Sequence, residues 1–208
     1  MPMSTNVYID GFNLYYGVLK GTAHRWLDLE KMCQVYLPGH TINRIRYFTA
    51  KVTPTPNDPD IGNRQQVYLR ALRTLPSVSI HEGHFLRHNV RMAHAYPPPN
   101  TVEVIKTEEK GSDVNLATYL LADAFRNDAS RFVVVTSDSD FLAPLTLVRK
   151  ELGKDVGILK PNTRPSHGLN RCSPSFTKTI RKGALTACQL PDPVVCMDGT
   201  RLSKPSTW

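Results

Sequence analysis

The chain has 208 residues, of which 40% are hydrophobic and 21% charged. That usage excludes general disorder, and the length suits one domain with an appendage. Lys and Arg number 26 against 18 Asp and Glu, a formal net charge of +8. No apolar run approaches the roughly 18 residues that a membrane span needs, and Met1 to Ile9 has neither the basic start nor the long apolar stretch of a secretory signal. Cys33, Cys172, Cys188 and Cys196 show no CxxC spacing, which points away from a disulfide framework or a zinc knuckle. The expected setting is the reduced cytoplasm.

In chain order, the strand signals are Val7 to Ile9, Ile42 to Phe48, Val78 to Ile80, Phe132 to Val135 and Val156 to Leu159. Helical periodicity lies between them, over Leu27 to Tyr36, Ile61 to Leu75, Ser112 to Phe125 and Phe141 to Leu152. Ser112 is placed to cap its helix, Pro144 is tolerable in a first turn, and Gly153 is a stop. Such alternation predicts an α/β sandwich on a mainly parallel sheet. Phe132 to Val135 lacks polar alternation, as expected of a central strand covered on both faces. The proline-rich stretches 54–59 and 96–100 read as loops. Residues 1–160 are expected to form the domain, and 161–208 a basic extension packed on it. Val194 to Cys196 with Asp198 and Gly199 suggests a terminal hairpin.

Charge is uneven. From Arg149 to Lys182 there are nine basic residues (Arg149, Lys150, Lys154, Lys160, Arg164, Arg171, Lys178, Arg181, Lys182) against Glu151 and Asp155. Such a stretch either attracts a polyanion by counterion release or serves as a solvated face.

Three acidic groups sit at element junctions. Asp10 follows the first strand. Glu108, Glu109 and Asp113 stand at the entrance of a helix. Asp138 and Asp140 follow the strand ending at Val135. The carboxyl ends of parallel strands form the functional crevice of open sheets, and Asp10 and Asp138 both fall there. Converging carboxylates repel unless a cation sits among them. Mg²⁺ or Mn²⁺ suits oxygen ligands and can activate water or offset charge on a phosphate. Each acid also has an ordinary reading: a turn for Asp10, a helix-dipole partner for Asp113, and Asx-turn or capping roles for Asp138 and Asp140.

Val7 to Leu14 (VYIDGFNL), Lys110 to Ala117 (KGSDVNLA) and Val133 to Phe141 (VVVTSDSDF) together resemble the NYN domain, a family of bacterial PIN-like proteins, over about Val7 to Leu159. The resemblance implies a three-layer PIN-like, Rossmann-like sandwich with strand order 3-2-1-4-5 and a divalent-metal ribonuclease site. By position, Asp10, Asp113, Asp138 and Asp140 would be the catalytic and metal-binding acids. Asn13 would be a polar neighbour, and Asp123 matches an acidic position of some members. The chain departs from the pattern at Ser137, where many members have Asn, and at Tyr119, where others have an acid. Lys110, beside Asp113, is a candidate contact to the scissile phosphate, and Ser137 a candidate substrate neighbour.

The expectation is therefore an endoribonuclease dependent on Mg²⁺ or Mn²⁺ and acting on single-stranded RNA, with homo-oligomerisation left open. The rival is a non-catalytic RNA-binding or interaction module that keeps the fold; the basic stretch alone would serve it. An aspartyl phosphatase fits less well, because the place of its general acid holds Phe12. His81, His84 and His88 lack metal-binding spacing. Tyr15 and Tyr16 are candidates for stacking on bases.

Overall fold

The computed structural model describes residues 3–162 and 167–208; Arg164 of the basic stretch lies outside the described residues. The elements in chain order are β1 (Met3–Asp10), α1 (Gly11–Leu14), α2 (Leu29–Tyr36), β2 (His40–Ala50), α3 (Ile61–Leu72), β3 (Val78–Ala93), β4 (Thr101–Lys110) and α4 (Ser112–Phe125). They continue with β5 (Arg131–Val135), α5 (Leu142–Thr146), β6 (Asp155–Lys160), α6 (His167–Asn170), β7 (Phe176–Thr179), α7 (Lys182–Leu185), β8 (Val194–Val195) and β9 (Arg201–Leu202). A π-helical turn, Tyr15–Leu19, continues α1. The expected helix over Phe141 to Leu152 is a composite: a 3-10 turn at Ser139–Phe141, then α5, then a π-helical turn at Leu147–Glu151.

Seven strands form one sheet in the order β4-β3-β2-β1-β5-β6-β7. All neighbours are parallel except β3 and β4. The five expected strands keep their expected relative order. The expected 3-2-1-4-5 sheet is corrected at both edges, where β4 and β7 are added. The predicted three-residue strand at Val78 grows to sixteen residues, because beyond Gly83 it pairs with β4 from His84 to Ala93. That arm has little core to cover, so its sequence carries no continuous apolar signal.

Successive residues of a strand point to opposite faces, and the core divides accordingly. Val7, Ile9, Val133 and Val135 pack with Leu14, Leu29, Met32, Leu69 and Leu72 from α1, α2 and α3. Tyr8, Phe132, Val134 and Ile158 pack on the other face with Leu116 and Leu120 of α4 and Leu145 of α5. The three-layer architecture follows from this division. The extension joins the first layer, burying Leu185, Cys188, Leu190, Val194 and Leu202 there, with Trp208 packed against them. Its terminal hairpin is present as the antiparallel pair β8–β9. Among the described residues no helix is long and apolar enough to cross a membrane.

Candidate active site

Because β1, β2, β5, β6 and β7 run parallel, their carboxyl ends share one edge of the sheet. Asp10 is the last residue of β1, and β5 is its direct neighbour, with Ile9 opposite Val135. Asp138 therefore stands three residues past the strand end that lies beside Asp10. The two turns are tied together. Asp10 accepts the Asn13 N–H at 2.9 Å and the Thr136 hydroxyl at 3.0 Å. The Thr136 oxygen in turn accepts the Asp138 N–H at 3.1 Å. The Asn13 side-chain oxygen accepts the Ser137 N–H at 3.0 Å, and Asp138 accepts the Asp140 N–H at 3.0 Å. Asp10 and Asp138 thus fill the ordinary capping roles while also facing the crevice.

Asp113 arrives from the other side of the chain. Gly111 turns from β4 into α4 with φ of 100°, a left-handed conformation that favours glycine. Gly111, not the expected Ser112, occupies the cap position. Ser112 instead donates its N–H at 3.1 Å and its hydroxyl at 2.7 Å to Glu109. Asp113, in the first turn of α4, is exposed at the crevice rim with Asp140.

The acids feel one another. Burial, and then repulsion from Asp113 and Asp138, raise the Asp10 carboxyl to about 6 against hydrogen bonds from Asn13 and Thr136. Asp113 is raised by burial and then by Glu109, Asp138 and Asp140. Burial, and then the charge of Asp10, push the Tyr47 hydroxyl upward. Among the described residues no three His, Cys, Asp or Glu side chains are grouped closely enough to cage a metal ion. The donor chemistry nevertheless fits a hard divalent cation. All the donors are oxygens, and neighbouring carboxylates repel both Asp10 and Asp113. Mg²⁺ commonly takes one or two carboxylates and keeps several waters, so a closed cage is not required.

The other expected residues divide. Asn13 and Ser137 belong to the crevice through their mutual hydrogen bond, and the Ser137 hydroxyl oxygen is buried with no partner among the described residues. Lys110 ends β4 and is paired with Glu108 at 3.2 Å. Asp123 is not in the crevice. Ten residues along α4 from Asp113, it lies about 15 Å further along the helix axis. It is buried, accepting from the Tyr8 hydroxyl at 2.8 Å and from the Arg46 guanidinium at 2.7 and 3.0 Å. The ring of Tyr119, where some NYN proteins carry an acid, lies under that guanidinium at 4.5 Å. Sequence reasoning missed Thr136, whose hydroxyl joins Asp10 to Asp138. Its position at the end of an apolar strand, two residues before Asp138, is the only local signal.

The basic stretch is split between the two ends of the sheet. Lys160 ends β6, and Arg181 and Lys182 follow β7, so all three flank the crevice edge. Arg149 pairs with Asp155 at the opposite edge. Lys178 donates to the Tyr36 carbonyl.

Comparison with known proteins assigns the chain to a family. The sequence profile of the NYN domain matches residues 4–180. The chain belongs to the NYN domain family. This NYN protein is also similar to the 6-hydroxy-3-succinoylpyridine 3-monooxygenase HspA of Pseudomonas putida (strain DSM 28022 / S16). The two are 29% identical over 238 aligned positions that take in the whole chain and 76% of HspA. Its fold resembles the crystal structure of a protein of unknown function, VPA0982, from Vibrio parahaemolyticus RIMD 2210633. The TM-score is 0.56 at 14% identity, over 86% of this chain and 94% of that one. The NYN domain points to a nuclease-like family with an RNA substrate.

Proposed function

We propose that this NYN protein is an endoribonuclease that hydrolyses single-stranded RNA at the Asp10–Asp138 crevice with Mg²⁺ or Mn²⁺. The observation that carries the reading is the meeting of Asp10, Asp113 and Asp138: three acids from separate parts of the chain, two of them raised by burial and then by neighbouring carboxylates. An acid cluster would repel phosphate unless a cation came with it. When bound, such a cation polarises the attacking water and offsets charge on the phosphate. Asp10 and Asp138 would hold it, with Asp113 and Asp140 acting from the rim. Thr136 fixes the Asp10 carboxylate, and Asn13 fixes the turn that carries Asp138. Lys160, Arg181 and Lys182 would guide the RNA backbone to the crevice.

The test is cleavage of a labelled single-stranded RNA by the full chain, with Mg²⁺, with Mn²⁺ and with EDTA. Asp10→Asn and Asp138→Asn should each abolish cleavage. Full activity of both variants, in nuclease-free preparations, would refute the site.

The similarity to HspA over the whole chain favours one second reading, in which the chain acts on a hydroxylated pyridine. Its test is consumption of 6-hydroxy-3-succinoylpyridine in the presence of dioxygen and a two-electron reductant. Turnover there with RNA left intact would replace the ribonuclease reading.

A further inference from the structure

A second concavity begins one residue past Asp10. It has a volume of about 120 Å³, opens to solvent and is walled by Gly11, Tyr15, Tyr16, Tyr47, Tyr68 and Trp208, with Arg64 also at the wall. Its size matters, because an engineered apolar cavity of about 150 Å³ holds one benzene ring. Its walls are flat and aromatic. The Tyr68 and Trp208 rings meet at 5.6 Å. Tyr15 and Tyr16 meet edge-on at 5.2 Å.

Two features suit the pocket to part of a nucleotide chain. Tyr16 is 63% exposed, although Tyr15 meets its ring edge-on. The Lys20 ammonium sits 5.0 Å from its centroid and brings a cation to the rim. Adjacency to the crevice is fixed by packing: a Cβ at Gly11 would come within 2.8 Å of the Tyr47 ring and within 2.6 Å of the Phe48 carbonyl. The pocket wall therefore presses directly on the residue after Asp10.

We propose that the pocket receives one base of the RNA, next to the scissile phosphate, and that it takes a pyrimidine. This rests on the ribonuclease reading and adds base selection to it. A single six-membered ring is nearer to the pocket's volume than two fused rings are. Stacking on Tyr16 and Trp208 supplies most of the affinity, since base–aromatic stacking tolerates any ring that fits.

The experiment is RNA binding by the full chain in EDTA, where cleavage is silent, read by fluorescence anisotropy with U10, C10 and A10. U10 and C10 should bind roughly 10-fold tighter than A10, the scale of losing one stacked base. Tyr16→Ala, an exposed change that spares the core, should shrink that preference and leave A10 binding unchanged. Equal affinity for the three RNAs, or a preference intact in Tyr16→Ala, would overturn the proposal. Cleavage with Mn²⁺ that still depends on Asp138 but ignores base identity would remove the pocket's role and leave the ribonuclease reading standing. No binding to any of the three RNAs would end both.

Discussion

The side-chain oxygen of Asn13 accepts the backbone N–H of Ser137 at 3.0 Å, so the turn after β1 and the turn after β5 move as one piece. Two strand ends alone would place Asp10 and Asp138 on the same edge. Their relative geometry is set by this bond and by the Thr136 hydroxyl between them.

Asn13→Ala should therefore lower the rate of RNA cleavage and cost about 1–3 kcal/mol, the penalty for a half-buried N–H left without its acceptor. Asn13→Asp keeps the acceptor and should recover stability, while adding one more negative charge to the crevice. Urea unfolding of the three proteins separates the cases. Equal midpoints for wild type and Asn13→Ala would show that the two turns are held by other means.

Asp10 should destabilise the native state when ionised. Its carboxyl is raised from 3.8 to about 6 in the folded chain, so the folded state binds the proton more tightly than the unfolded one. Native stability then falls as pH rises between those two values, and the loss is complete above about 6. At 1.36 kcal/mol per pH unit the loss is at most about 3 kcal/mol. In metal-free buffer at pH 7.5, Asp10→Asn should be more stable than wild type, and the gap should close as pH approaches 4. Urea midpoints measured in EDTA across that range check the sign. A gap of constant size would show that charge is not its cause.

The parts of this molecule that the sequence made legible are those where local pattern and tertiary role coincide. Val7 to Ile9, Phe132 to Val135 and Val156 to Leu159 are apolar on both faces because the sheet is covered on both faces, and Asp10 and Asp138 stand out because each breaks such a context. The arm formed by β3 and β4 was not legible. Its residues from His84 onward pair with Thr101 to Lys110 and are largely exposed, so register there comes from backbone hydrogen bonds rather than a buried face. Trp208 was also opaque: it packs 6.4 Å from Trp26 and 5.6 Å from Tyr68, across nearly the whole chain length and with no local periodicity to announce it. Asp123 shows the opposite failure. The family resemblance carries Asp123 over as a site acid, and only the fold reveals Arg46 and Tyr8 meeting it from β2 and β1.

Asp123 should be a stability residue. Removing one partner of a buried ion pair leaves the other uncompensated, at about 3–5 kcal/mol, so Asp123→Ala should lower the melting temperature sharply. Its carboxyl is held below the usual value: burial works against the charged form, but hydrogen bonds from Arg46 and Tyr8 outweigh it. A depressed carboxyl contributes stability that is fully present above the unfolded value near 3.8 and lost as pH falls through the folded value. Wild type should therefore lose stability below pH 4 more steeply than the Asp123→Ala,Arg46→Met double variant. An Asp123→Ala protein as stable as wild type at neutral pH would show that the pair is dispensable.

The basic stretch offers a test in which position, not composition, decides the outcome. Lys160, Arg181 and Lys182 lie at the carboxyl edge of the sheet, beside the hollow where Gly17 and Val18 meet Pro161. Lys150 and Lys154, in the turn before β6, lie at the opposite edge. Both sets are cationic, so a solvated face would make them interchangeable. An RNA track leading to Asp10 and Asp138 would not. For single strands, each phosphate deprived of its protein cation reduces the slope of log affinity against log salt by roughly 0.7. Replacing Lys160, Arg181 and Lys182 with Gln should therefore lower the slope by about 2. Replacing Lys150 and Lys154 should leave it near the wild-type value. Cleavage at saturating RNA should change little in either protein, because these side chains hold the backbone and do not touch the bond that breaks. Equal slope changes in the two sets would mean that charge on this chain keeps it in solution and does not guide RNA to the crevice.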